Sequence, residues 1–323
     1  MTRFRLWTTI LAAPAFAATL AAVGCGGGGD KATTSSKPTA SSSSTTTGGS
    51  TTGSTTAPSE GPTALEPQGF ATIKGKVTYE GTPPVPEDIH FPENLDKNSR
   101  DVCLMGEHRD QTWVVGADKG VKNVVIWVRP PAGKFFDVPA DQQKPERAAV
   151  TVDQPYCAFI PHVDILFPTF YDPATKKQKR TGQTFEVHNS APISHNTNWN
   201  PAISLLDSGG NVILPSKKVQ KIDVLNLAAT KPNQQDLLSF KCDIHKWMTS
   251  YIWAFDHPYA AVTKEDGTYE IKNVPAGSKL ILIAWHEPGS YYTPTGPGSN
   301  KGTEIGPLTA KEVKVINFDK VSK

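Results

Sequence analysis

Short stretches in which apolar and polar residues alternate, each ended by Gly, Pro or Asn, recur along this chain, and no segment has convincing amphipathic-helix spacing. That pattern supports an all-β sandwich best. Such stretches occupy residues 73–79, 113–115, 121–128, 149–152, 184–188, 211–214, 219–224, 238–240 and 251–255. In the last of them Tyr251, Trp253 and Phe255 share one face, and Ile252 and Ala254 share the other. Pro130 and Pro131 end the 121–128 run, because proline donates no ladder hydrogen bond.

The first residues have a different character. Arg3 and Arg5 precede an apolar, alanine-rich run over 7–23, followed by Gly24 and Cys25. This reads as an export signal over 1–24, with a membrane-spanning helix as the rival reading. Ala22-Val23-Gly24-Cys25 resembles a bacterial lipobox, with alanine where leucine is usual. The resemblance implies a lipidated Cys25 and a place in the bacterial cell envelope, anchored to a membrane. Residues 25–68 are rich in Gly, Ser and Thr and read as a flexible tether, since such a segment cannot bury enough apolar surface to offset chain entropy.

The formal net charge of +2 gives no reason to expect a nucleic-acid partner. The densest basic run, Lys176, Lys177, Lys179 and Arg180, reads as a solvated loop, or alternatively as a docking patch for an acidic partner.

The chemistry concentrates in Cys242-Asp-Ile-His245-Lys-Trp-Met248. A thiolate, an imidazole and a thioether at this spacing suit a soft, redox-active metal, above all copper held by two imidazoles, one thiolate and a long axial Met. A second imidazole must come from elsewhere, and the 187–196 segment offers His188 and His195. His162 is a weaker candidate and reads better as a hydrogen-bonded structural residue. Zinc fits poorly, because thioether is an unusual ligand for it and no second thiolate stands nearby.

The spacing of Cys242, His245 and Met248, with His195-Asn196 upstream, resembles the cupredoxin (type 1 copper) family, in particular members with the short amicyanin-like ligand loop. The resemblance implies a decorated Greek-key cupredoxin sandwich over 69–258 and one copper. It implies His195, Cys242, His245 and Met248 as ligands and Asn196 as a hydrogen-bonding brace behind them. The implied role is one-electron transfer rather than catalysis, with a cytochrome or a periplasmic dehydrogenase as redox partner. A copper-storage or cell-surface interaction module is the alternative. With Cys25 assigned to the anchor and Cys242 to the metal, Cys103 and Cys157 remain for a disulfide in an exported protein.

Trp247 and Tyr251 read as packing at the end of the sandwich, or as an apolar rim for a partner. His90, His108, His257 and His286 lack a ligand cluster in the sequence and read as structural or surface residues. Residues 259–323 carry Asp266-Gly267, Tyr269-Glu-Ile271 and Asn273-Val-Pro-Ala-Gly277, which resemble the carboxypeptidase-regulatory-like β-module. That label implies a small antiparallel fold and no peptidase.

Overall fold

The computed structural model describes residues 61–201, 209–223, 231–287 and 289–323. The expected signal segment, Cys25 and the tether as far as residue 60 lie outside these residues, as does Val224 at the end of one expected strand.

The described chain is predominantly β, with one short α-helix, and its four main sheets stack through three apolar layers. The first sheet contains Lys218–Lys221, Thr184–Asn189, Ala149–Tyr156 and Ala158–Ile160 in that order. The second contains Gly210–Leu214, His195–Pro201, Gln235–Lys241, Thr249–Phe255 and Val163–Leu166. Val150, Val152, Phe185 and Val187 of the first meet Leu238, Phe240, Ile252 and Ala254 of the second, which makes a sandwich. Both sheets are mixed: Thr184–Asn189 runs parallel to Ala149–Tyr156, and Val163–Leu166 runs parallel to Thr249–Phe255.

Strands in the middle of the stack are buried on both faces and therefore read as nearly continuous apolar runs. In Val125–Arg129, Val125 and Trp127 face one layer while Ile126 and Val128 face another. Leu280–His286 divides the same way, with Ile283 and Trp285 on one side and Leu280, Leu282 and Ala284 on the other. Trp253 and Phe255, from the outer face of the second sheet, pack on Trp127 and Trp285 across that seam. Each buried ring removes about 150–250 Å² from water, so this apolar seam joins the layers into one body rather than leaving a hinge.

Sheet pairing crosses residue 259. Phe70–Tyr79 lies between Thr268–Pro275 and Val313–Val315 and also pairs with Phe318–Val321, while Val125–Arg129 pairs with Ala260–Val262 and Leu280–His286. The C-terminal strands thus complete their sheets with N-terminal ones. Gly75 is required where these segments cross, because a Cβ there would stand 1.7 Å from the carbonyl oxygen of Ile316. The Asp266-Gly267 turn forms with Gly267 at φ +77°, and Asp266 Oδ1 accepts from the Thr268 amide.

Three local readings change. Residues 61–68 are part of the folded unit: Thr63–Ala64 pairs with Lys134–Phe135, and Leu65 is buried. The polar segment before Cys103 holds the helix Lys97–Cys103, capped by Asp96, whose side chain accepts from the Ser99 amide. Of the basic run, Lys176 lies in a turn while Lys177–Arg180 is a strand; Lys179 pairs with Asp172 at 2.6 Å and Arg180 with Asp223 at 2.9 Å. Among the described residues no helix is long and apolar enough to cross a membrane.

Asp256, which directly follows the strand Thr249–Phe255, accepts from Gln178 Nε2 and from the Gln234 amide, both at 2.9 Å, and burial raises its pKa to about 6. A folded-state value above the ordinary one means that its stabilising contribution is complete below about pH 4 and lost as pH rises through 6. Asp256→Asn escapes this loss. Its stability relative to wild type is expected to rise by roughly 3 kcal/mol between pH 4 and pH 7, measured by urea unfolding at both values. Burial pushes His257 and His286 down to about 3 and about 4, so their contribution is present above the ordinary histidine range and lost on acidification.

Candidate metal centre

The segment 242–248 is the loop of a hairpin. Gln235–Lys241 and Thr249–Phe255 pair antiparallel from Gln235 opposite Phe255 to Lys241 opposite Thr249, which leaves Cys242 and Met248 at the mouth. The loop is closed from within: the Cys242 amide donates to the Met248 carbonyl at 3.3 Å, and the Met248 amide to the His245 carbonyl at 2.9 Å. The His245 amide donates to Cys242 Sγ at 3.3 Å. Cys242 and Met248 are both buried and belong to the core between the first two sheets.

Register brings the distant imidazole in. His195–Pro201 pairs with Gln235–Lys241, with Asn198 opposite Lys241. Continuing that antiparallel alignment places Asn196 beside Asp243 and His195 beside the loop. The contacts agree. His195 Nδ1 and His245 Nδ1 are 3.0 Å apart, and Cys242 Sγ lies 3.9 Å from His245 Nδ1. One ligand atom from each of these three residues falls within 4.8 Å of the others, and all three residues are buried.

Asn196 braces the loop. Its Oδ1 accepts from the amides of Asp243 and Ile244, and its Nδ2 donates to Asn211 Oδ1 at 2.7 Å and Asp243 Oδ2 at 2.9 Å. Asp243 also accepts from the Nδ2 groups of Asn198, at 3.3 Å, and Asn211, at 2.7 Å. Hydrogen bonds from Asn211 first, then Asn198, hold its carboxyl below the usual range. The sequence reading gave no role to Asp243, Asn198 or Asn211. Their signal was present, since Asn196 and Asn198 alternate on one strand face and Asp243 lies inside the motif.

Burial sets the electrostatics. It pushes His195 down to about 3, with His245 adding to the effect, and it is the first cause lowering His245. It raises the Cys242 thiol, against which the amides of Asn196, His245 and Ile244 favour the thiolate. Both rings are therefore neutral at physiological pH, with Nδ1 atoms turned toward each other and only one proton accommodated between them. Such an arrangement favours a cation in place of protons. Metal–nitrogen and metal–sulfur bonds of about 2.0 and 2.3 Å can span the observed separations from one centre, so the donor set fits a single ion.

The other histidines sit elsewhere. His188 lies in the first sheet with Nε2 3.1 Å from Glu186 Oε2. His162 Nδ1 is 3.0 Å from the Thr249 carbonyl and its Nε2 contacts Glu287. His286 is buried against Trp113, with ring centroids 4.1 Å apart. Cys103 and Cys157 form a disulfide. Trp247 is half-buried, its ring 4.9 Å from Phe91 and 5.3 Å from His245, and its Nε1 donates to the Cys157 carbonyl at 3.2 Å. Tyr251 is half-buried against Trp285.

No family model, curated protein or solved structure matches the chain.

Proposed function

We propose that this chain is an exported, lipid-anchored copper protein of the cell envelope that carries one electron through a mononuclear type 1 site in a Greek-key cupredoxin sandwich. The observation that carries the reading is the convergence of His195 on Cys242 and His245 in the buried core, although His195 and His245 stand 50 residues apart. His195, Cys242 and His245 would hold copper, with Met248 as the further thioether donor that the resemblance implies. Copper bound there supplies one-electron chemistry between Cu(I) and Cu(II).

The chain's own part is to hold these donors still. Asn196 and the Asp243 clamp fix the loop backbone, and the amides donating to Sγ stabilise thiolate charge. The apolar core excludes water from the donors, and a rigid set needs little rearrangement between oxidation states. Carrier function suits this site better than catalysis. The redox partner is a cytochrome or a periplasmic dehydrogenase, and the N-terminal tether holds the folded unit at a lipid bilayer.

Reconstitution with copper(II), followed by optical and paramagnetic-resonance spectra of wild type and C242S, tests the proposal. Wild type is expected to gain an intense thiolate-to-copper absorption that bleaches reversibly on reduction, and C242S to lack it. No such absorption in wild type would refute the reading. Tight binding without reversible reduction would redirect it to copper storage.

A further inference from the structure

A second set of soft donors meets at His245. Cys103, Cys157 and His245 each offer a ligand atom within 4.8 Å of the other two, and all three residues are buried. The two sulfurs are joined as a disulfide between the capped helix Lys97–Cys103 and the turn after Ala149–Tyr156. His245 Nδ1 is turned to His195 and Cys242, whereas Nε2 is buried with no hydrogen-bond partner. That nitrogen is the ring atom left for another ligand interaction. Trp247 and Phe91 pack alongside.

We propose that reduction of the Cys103–Cys157 disulfide creates a second metal site, formed by the two sulfurs and His245 Nε2, for a thiophilic d10 cation, Cu(I) or Zn(II). Two thiolates and one imidazole are a suitable donor set for either ion, with a fourth position open. The chemistry balances with a dithiol as reductant. It supplies two electrons and two protons, the S–S bond breaks, two thiols form, and the dithiol leaves as its own disulfide. Metal binding then displaces both thiol protons. The site needs His245 but neither His195 nor Cys242, so it goes beyond the type 1 reading and is tested separately from it.

The test uses the full-chain C242S variant, titrated anaerobically with Co(II) as an optical probe before and after treatment with a phosphine reductant. Thiolate-to-cobalt absorption is expected only after reduction, with one ion bound and the native circular dichroism kept. It is expected to be lost in reduced C103A/C157A/C242S and in reduced C242S/H245A. Cys25 is present in every variant, so any contribution from it persists in these controls. Three results would each overturn the proposal: no absorption in reduced C242S, an unfolded protein on reduction, or absorption that either added substitution leaves undiminished.

Discussion

Replacing His195 with alanine is expected to abolish the intense visible absorption of the copper-loaded protein, whereas the same change at His188 or His162 leaves it in place. The difference follows from position. His195 Nδ1 faces His245 Nδ1 at 3.0 Å within the core, while His188 is engaged with Glu186 in the opposite sheet and His162 with Glu287 and the Thr249 carbonyl. Without the first imidazole, the thiolate and the remaining imidazole face a gap that no other described histidine reaches. Optical and paramagnetic-resonance spectra of the three variants, with circular dichroism to confirm folding, distinguish these outcomes. Loss of the band in His188→Ala with retention in His195→Ala would reverse the ligand assignment.

The C103A/C157A double substitution is expected to lower unfolding free energy by about 4 kcal/mol, the chain-entropy value for a cross-link spanning 54 residues. The bridge ties the helix Lys97–Cys103 to the first sheet, and the helix is too short to persist alone. Phe91, Leu95 and Val102 pack on the same core as Cys242 and Met248, so weakening this cover also loosens the surroundings of the loop. Urea unfolding of oxidised wild type and the double variant measures the effect. In the C242S background, a cation held by the thiols freed on reduction is expected to recover part of the loss through mass action, whereas C103A/C157A/C242S gains nothing from it.

Some of this was legible one residue at a time. Alternation in 251–255 separates the side chains that enter the sandwich core from those that enter the tryptophan-rich seam, as the packing has it. The Asp266-Gly267 pair marks its own turn because few other residues accept positive φ there. The helix Lys97–Cys103 leaves little mark on the sequence, because its capping signal, Asp96 three residues before Ser99, is local and its buried face is only Val102 and Cys103. Within the basic run Lys179 and Arg180 are paired with Asp172 and Asp223, and the second of these partners is too distant in sequence to be read from the run itself.

By itself the sequence determined the β character, the donors clustered in 242–248 and the cysteines left over to pair, because alternation, ligand chemistry and spacing are properties of neighbouring residues. Only the tertiary structure decided which histidine joins Cys242, that Phe70–Tyr79 pairs with C-terminal strands, and that the disulfide lies against His245. The physical reason is that a strand's side-chain pattern says which faces are buried but not by what. Its partner and register are chosen by packing among residues far apart in the chain.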